Sequence, residues 1–544
     1  MNSKSVSKRV NDAIHAQWLL NERASRIRAI DRAVRQSETH GSTVCAPVVF
    51  VNPSARTDSV SANALIQLIS QWGLRLGGVP VRNFTCKSGM SRCAVGVAQY
   101  GVNTPPPCAD CWKITQQLHP NWRDLDTVTP APLPTNVPAN TLAELIASTH
   151  GQLPVGEMAL PAARWALRRY NLPDDETTRS LMRHLIASGI HFYESFSRYV
   201  QHIQPRAVVV FNGISYPEVI ARRVAHDHGI RAISYEFGHR RNSAYFTDGI
   251  APEHKFTIPP TFTLNEQRTE RLDDNLAQRL QGNFYMGGVK YYRGEVVPLP
   301  SALQARMAQA KQAVVIFPNV AFDTSQVFAR KMFVDLFEWL AHTLEHAPRH
   351  PDTLFIVRAH PDELRPNKLS QETIGDWLVS NGYLNQPNIL FISPNDFTNS
   401  YDLVRETRFT LAYNSTIGLE AGLLGKASIV AAHTKYDIAD VAYAPSTQAD
   451  YHTLLETFLT QAEPPTPTAG AQDRARRYLY YLFFVNSLDY SPYIKDSLIG
   501  FTLNNIQASD LSPEHSDPTR VLLHGILQEQ PFHYLNGATL LEAV

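Results

Sequence analysis

The sequence predicts an α/β protein made of two Rossmann-like, doubly wound domains facing each other across a cleft, with an N-terminal helical extension and a Cys-rich loop. Three observations carry that prediction. Short apolar runs ending in polar loops alternate with helix-period segments along most of the 544 residues. A stretch with three Gly and two Pro at 286–305 separates two such series and reads as a hinge. Three runs of the second series end in polar loops followed by helix-period residues, as expected of parallel strands crossing over through helices.

Taken in order, residues 1–40 are polar with Ile14, Leu19, Leu20, Ile27, Ile30 and Val34 at helical spacing. They form either an extension packed on the body or an interaction helix. Val44–Val51 reads as the first strand, with an exit loop through Arg56 and Asp58 and a helix from Ser61 to Trp72. Asn103–Pro138, rich in Pro and Thr, reads as loop. A long helix is expected over 175–203, then a strand at Ala207–Phe211 ending in Asn212-Gly213. A helix with Val219, Ile220 and Val224 leads to a strand at Ile230–Ser234 that runs into Glu236. In the second series, strands are expected at Ala313–Phe317, Leu354–Val357, Phe409–Ala412 and Ala427–Ala431. Arg474–Phe484 reads as an aromatic helix. The implied domains are 1–40, 41–295 with a Cys-rich insertion at 86–111, 296–470, and a 471–544 tail partly crossing back to the first domain.

Composition narrows the function classes. Fifty basic and fifty acidic residues give no net charge, so there is no electrostatic footprint for nucleic acid. No apolar run approaches the roughly 20 residues that span a bilayer. The N-terminus (Lys4, Lys8, Arg9) lacks the apolar core of a secretory signal. A cytoplasmic enzyme is expected, peripheral at the inner face of the membrane if its acceptor is lipid-linked.

The densest chemical signal is Tyr413-Asn414-Ser415-Thr416-Ile417-Gly418-Leu419-Glu420-Ala421. A buried strand passes through two hydroxyls into a helix that Ser415 or Thr416 would cap. Its unpaired amides and dipole make a phosphate cradle, and Glu420 is placed to hold a ribose hydroxyl. An ordinary capped helix is the alternative. Arg358-Ala359-His360-Pro361 ends another strand; residues two apart face the same way, and a guanidinium beside an imidazole suits a departing phosphate. Pro318 and the loop Asp323-Thr324-Ser325 end a third.

In order and spacing, these elements resemble the capsule polysaccharide synthesis glycosyltransferases, the group that contains bacterial Kdo transferases. The shared pieces are Pro318 with Asp323-Thr324-Ser325, the Arg-x-His-Pro step at 358–361, Ser-Thr-x-Gly-x-Glu-Ala at 415–421, and Gly425-Lys426 before the next strand. The resemblance spans about residues 205 to 490. It implies the GT-B arrangement, with an acceptor side in the first domain and a nucleotide-sugar side in the second. The donor it implies is a nucleotide-activated sugar such as CMP-Kdo, and the acceptor is a glycan or lipid-linked glycan. The segment Tyr235–Ser243 matches the family's Glu-Asp-Gly-Phe-x-Arg element, except that Phe237 stands where Asp is usual. The chain therefore relies on Glu236 as its catalytic acid or base, or reacts differently; a salt bridge from Glu236 to Arg240 or Arg241 is the structural alternative. Donor-binding residues implied are Arg358, His360, Ser415, Thr416, Glu420, Asp323 and Lys426, with Asn212, Arg240 and Arg56 on the acceptor side or cleft. No Asp-x-Asp occurs in the strand-end loops of the second domain, so no catalytic metal is expected.

Cys86, Cys93, Cys108 and Cys111 (C-x6-C-x14-C-x2-C) offer four thiolates to a structural Zn or an iron–sulfur cluster; four incidental thiols are the alternative. Cys45 reads as a small core residue. Two other functions stay open. One is a different GT-B-fold enzyme, a nucleotide-sugar epimerase or polyol-phosphate transferase. The other is a non-catalytic component of a polysaccharide assembly complex.

Overall fold

The computed structural model describes residues 3–38, 45–52, 60–129, 140–283, 285–286, 289–290, 296–365, 369–497 and 499–534. The chain divides into two compact units: Met1–Ala166 with Pro173–Ala251 and Val485–Val544, and Leu167–Leu172 with Pro252–Phe484. The boundary expected at 295/296 thus falls inside the second unit. The expected 471–544 tail divides at 484/485, its aromatic helix (Ala471–Tyr480) staying in the second unit.

In the first unit, β1 (Val48–Asn52), β2 (Val81–Cys86), β3 (Asp126–Val128), β4 (Ala207–Phe211) and β5 (Arg231–Phe237) pair in parallel in the order β3-β2-β1-β4-β5. An antiparallel β6 (Ser243–Thr247) and a two-residue strand at Leu488–Asp489 extend the β5 edge. β1 and β4 are near-continuous β-branched runs because both faces of a central parallel strand are covered. The helix Glu176–Ile203 starts where Asp175 accepts the Thr178 amide at 2.8 Å.

The N-terminal helix (Ser3–Ser37) is an extension packed on the body. Ile27, Ile30 and Val34 join the core with Leu65, Ile69 and Trp72 of the helix Ala62–Leu76. Asp31 anchors it, accepting the Trp72 indole N–H at 3.2 Å, Arg35 Nε at 2.9 Å and the Asn121 amide at 3.3 Å. Two expectations for this unit fail. The stretch read as loop over 103–138 contains a helix, Cys108–Leu118, a helical turn, Trp122–Asp124, and β3. The cysteines do not form a loop either: Cys86 ends β2, Cys93 caps the helix Ala94–Tyr100, and Cys108 and Cys111 occupy the first turn of their helix. Buried positions at helical spacing (Ile114, Thr115, Leu118) outweigh the prolines before them.

In the second unit a short antiparallel pair, β7 (Tyr285–Met286) and β8 (Val289–Lys290), precedes the sheet. The sheet holds β9 (Gln312–Phe317), β10 (Thr353–Arg358), β11 (Ile389–Ile392), β12 (Thr410–Ala412) and β13 (Ser428–Val430), all parallel, in the order β11-β10-β9-β12-β13. The winding is that of the first sheet: three strands one way from the first, then two on its other side. The strand order reverses between β9 and β12, the place where open α/β sheets take ligands. Among the described residues no helix is long and apolar enough to cross a membrane.

Replacing Asp31 by Ala strands the buried Trp72 N–H and removes the carboxylate shared by Arg35 and Arg75. Urea unfolding followed by tryptophan fluorescence should show a loss of about 2 kcal/mol; an unchanged midpoint would mean that the N-terminal helix is not anchored there.

Candidate functional site

Parallel pairing brings the exits of β9, β10 and β12 to one end of the second sheet. A pocket at that end is lined by Phe317 and Pro318 from β9, Arg358 to Pro361 from β10, Ser415 to Ile417 after β12, and Ser400, Tyr401, Arg279 and Glu420. Five residues expected to hold the donor therefore meet: Arg358, His360, Ser415, Thr416 and Glu420.

Their hydrogen bonds revise several roles. Arg358 is buried, and its guanidinium is not simply offered to a ligand: Nη1 donates to Ser393 O at 2.5 Å and Nη2 to Asp396 O at 2.6 Å, bracing the loop after β11. Its buried Nε–H has no partner among the described residues. Glu420 does not present an open carboxylate for a ribose. It accepts from Arg279 Nε at 2.7 Å, with both side chains about 4% exposed. Two guanidiniums, Arg279 and Arg358, against one carboxylate leave the lining with one positive charge before His360 is counted. His360 Nδ1 accepts the Asp362 amide at 3.1 Å, so the neutral ring carries its proton on Nε2.

The helix after β12, Ile417–Leu423, has no side-chain cap from Thr416, whose backbone (φ −61, ψ −16) is already helical rather than extended. Ser415 Oγ is 3.5 Å from the Ile417 amide. Among the described residues the Ser415 and Thr416 amides have no acceptor. Tyr436 donates its hydroxyl to Ser415 O at 2.7 Å, and burial holds that phenol well above its ordinary pKa, so it stays a donor. Gly418 makes this contact possible: a Cβ there would stand 2.5 Å from the Tyr436 hydroxyl. Asn414 ties the loops together, accepting from Asn319 at 2.8 Å and Gln326 at 3.3 Å and donating to Ser325 O at 3.4 Å.

Two expected donor residues do not line the pocket. Asp323 caps the turn Thr324–Phe328, accepting the Ser325 amide at 3.0 Å. Lys426 precedes β13 and so lies at the amino ends of the strands, where Nζ donates to Thr407 O at 3.0 Å and burial lowers its pKa. The residues that sequence reading overlooked are Arg279, Tyr436, Ser400 and Tyr401; none stands in a motif, and Arg279 lies 141 positions from its partner.

In the first unit, Asn212 and Glu236 meet. Asn212 donates to Glu236 Oε2 at 2.6 Å, and the Phe237 amide donates to Oε1 at 2.9 Å. Asn212, in left-handed backbone (φ 62), also receives the Ile214 and Ser215 amides on its side-chain oxygen. Arg240 is engaged with Ser487 O at 3.3 Å and Asp489 at 3.5 Å. Arg56 and Asp58 lie outside the described residues. The four cysteines share one neighbourhood: burial raises Cys86 to about 12 and Cys93 to about 11, with smaller contributions from the other thiols. Cys86 Sγ accepts the Gly89 amide at 3.3 Å and Cys93 Sγ the Gly96 amide at 3.2 Å.

No family model and no curated protein matches the chain. Solved structures of similar fold include two Thermosulfurimonas dismutans KpsC structures. The beta Kdo 2,4 transferase is 14% identical, with TM-score 0.32 over 50% of this chain and 87% of that one. The beta Kdo 2,7 transferase is 14% identical, with TM-score 0.33 over 58% and 86%. A UDP-N-acetylglucosamine 2-epimerase from Rickettsia bellii is 12% identical, with TM-score 0.27 over 80% and 97%. Likeness at this level carries no functional weight.

The His360 loop hangs on a buried acid. Glu363, in the turn Pro361–Leu364, accepts the Ile374 amide at 3.1 Å, and burial raises it from 4.5 to about 8. The native chain then holds a proton that the unfolded chain releases, so this stabilisation is full below about pH 4.5 and is lost as pH rises toward 8. Urea titrations across that window should show stability falling with pH, and Glu363→Gln should flatten the fall. An equal slope in both proteins would contradict a protonated Glu363.

Proposed function

We propose that the second unit binds the phosphate of a nucleotide-activated sugar at the exits of β9, β10 and β12, and that the chain is a glycosyltransferase acting in capsule or other surface polysaccharide assembly. One observation supports this above the rest: a buried guanidinium, Arg358, lines the pocket with an N–H that lacks an acceptor among the described residues. Such a group costs about 1–3 kcal/mol, which an anionic oxygen would recover. The hydroxyls of Ser415 and Thr416 and their two amides supply further donors for a leaving phosphate, in a reaction that needs no catalytic metal. The Arg279–Glu420 pair holds the lining rather than the ribose.

Glu236 is proposed as the general base. Two N–H donors on its two oxygens suit an ionised carboxylate, ready to take the proton of an acceptor hydroxyl on a glycan or lipid-linked glycan. CMP-Kdo is the first donor to try, on the strength of the motif resemblance.

Calorimetry with CMP-, UDP- and GDP-sugars should find one that binds. Ser415→Ala with Thr416→Ala should weaken it at least tenfold, and unchanged affinity would remove the phosphate assignment. Glu236→Gln should keep nucleotide affinity while transfer falls about 10²–10⁴-fold. A sugar nucleotide isomerised with no acceptor present would favour the epimerase reading instead.

A further inference from the structure

Five side chains that the proposed reaction does not use meet in the second unit. His342 lies on the helix Leu336–Leu344 and His346 just beyond it, one helical turn on. His350 follows the turn Ala347–Arg349, and His452 and Glu456 stand one turn apart on the helix Gln448–Thr460. Glu456 Oε2 is 3.1 Å from His346 Nδ1, and Oε1 is 3.0 Å from His350 Nε2. The ligand atoms of these three residues all lie within 4.8 Å of one another.

We propose that His346, His350 and Glu456 bind one divalent transition-metal ion of the zinc, cobalt or nickel kind, which ties the end of the first helix to the second. Ligands about 2.0–2.1 Å from a tetrahedral ion stand roughly 3.3 Å apart, close to the two His–Glu456 separations already present. Two imidazoles and one carboxylate suit such ions better than magnesium or calcium. His346 is buried, so a metal-bound ring must pass its remaining N–H to a partner. His452 provides one, with Nδ1 at 2.8 Å from His346 Nε2 and its own Nε2 at 3.1 Å from His342 Nδ1.

The metal-free network closes with the opposite tautomers: His342 donates to His452, His452 to His346, and His346 to Glu456. In either sense both nitrogens of His346 and of His452 keep a partner, so an ion enters without stranding the buried N–H of His346. Glu456, 42% exposed, opens the site to the ion and to a water as fourth ligand. Arg349 opposes a cation, so Glu456 supplies the charge that binding needs.

The test is cobalt(II) uptake by the full, chelator-stripped chain, with thermal unfolding in zinc alongside. The cysteines are common to every variant and cancel. Wild type should take up one equivalent more than Glu456→Gln or His350→Gln, and zinc should raise its Tm more than theirs. His452→Gln should keep the equivalent but weaken it about 10–100-fold, as loss of a positioning residue does. Equal stoichiometry and equal Tm shifts in wild type and both ligand variants would overturn the site and leave an ordinary hydrogen-bonded histidine network.

Discussion

Parallel pairing of β9 with β10 on one side and β12 on the other is the constraint on which the candidate site depends. The register sets Val357 of β10 beside Ile316 and Ala412 of β12 beside Phe317, so Pro318, Ala359 and Tyr413 leave the sheet side by side. Everything that follows those residues shares one end of the sheet, and everything that precedes the strands shares the other. Because the order reverses between β9 and β12, the helices after the two strands depart to opposite faces and leave an opening at their exits. The fold makes the hollow before any particular side chain lines it.

The polar groups in that hollow are held with little freedom. Arg279 and Glu420 are desolvated together, and breaking such a pair by removing one partner costs about 3–5 kcal/mol, so their job includes keeping the lining in place. Arg358 spends two nitrogens on carbonyls of the neighbouring loop. Asn414 and Tyr436 fix the hydroxyl-bearing segment from two sides. What is left over for a ligand among the described residues is small and directional: one guanidinium N–H, two hydroxyls and two amides. That set fits an anion with several oxygens better than an apolar or cationic ligand.

Much of the fold could be read from the chain because central parallel strands are written as unbroken β-branched runs. Ala207–Phe211 ends where it was expected, and the long helix after Asp175 starts within a residue of its expected place. The site was legible in its motifs but not in its pairings. A carboxylate one turn into a helix looks the same in sequence whether it meets a ribose or Arg279. Lys426 could have been placed correctly, since a residue just before a parallel strand belongs to the amino end of the sheet. The histidine cluster shows i, i+4 pairs at 342/346 and 452/456, yet nothing local says that helices 106 residues apart bring them together.

The most direct test is a crystal structure of the full chain with the nucleotide it binds. The account predicts phosphate oxygens between His360 and the Ser415–Thr416 segment, one of them within hydrogen-bond distance of Arg358 Nε. A well-ordered nucleotide whose phosphate touches none of these residues would contradict it.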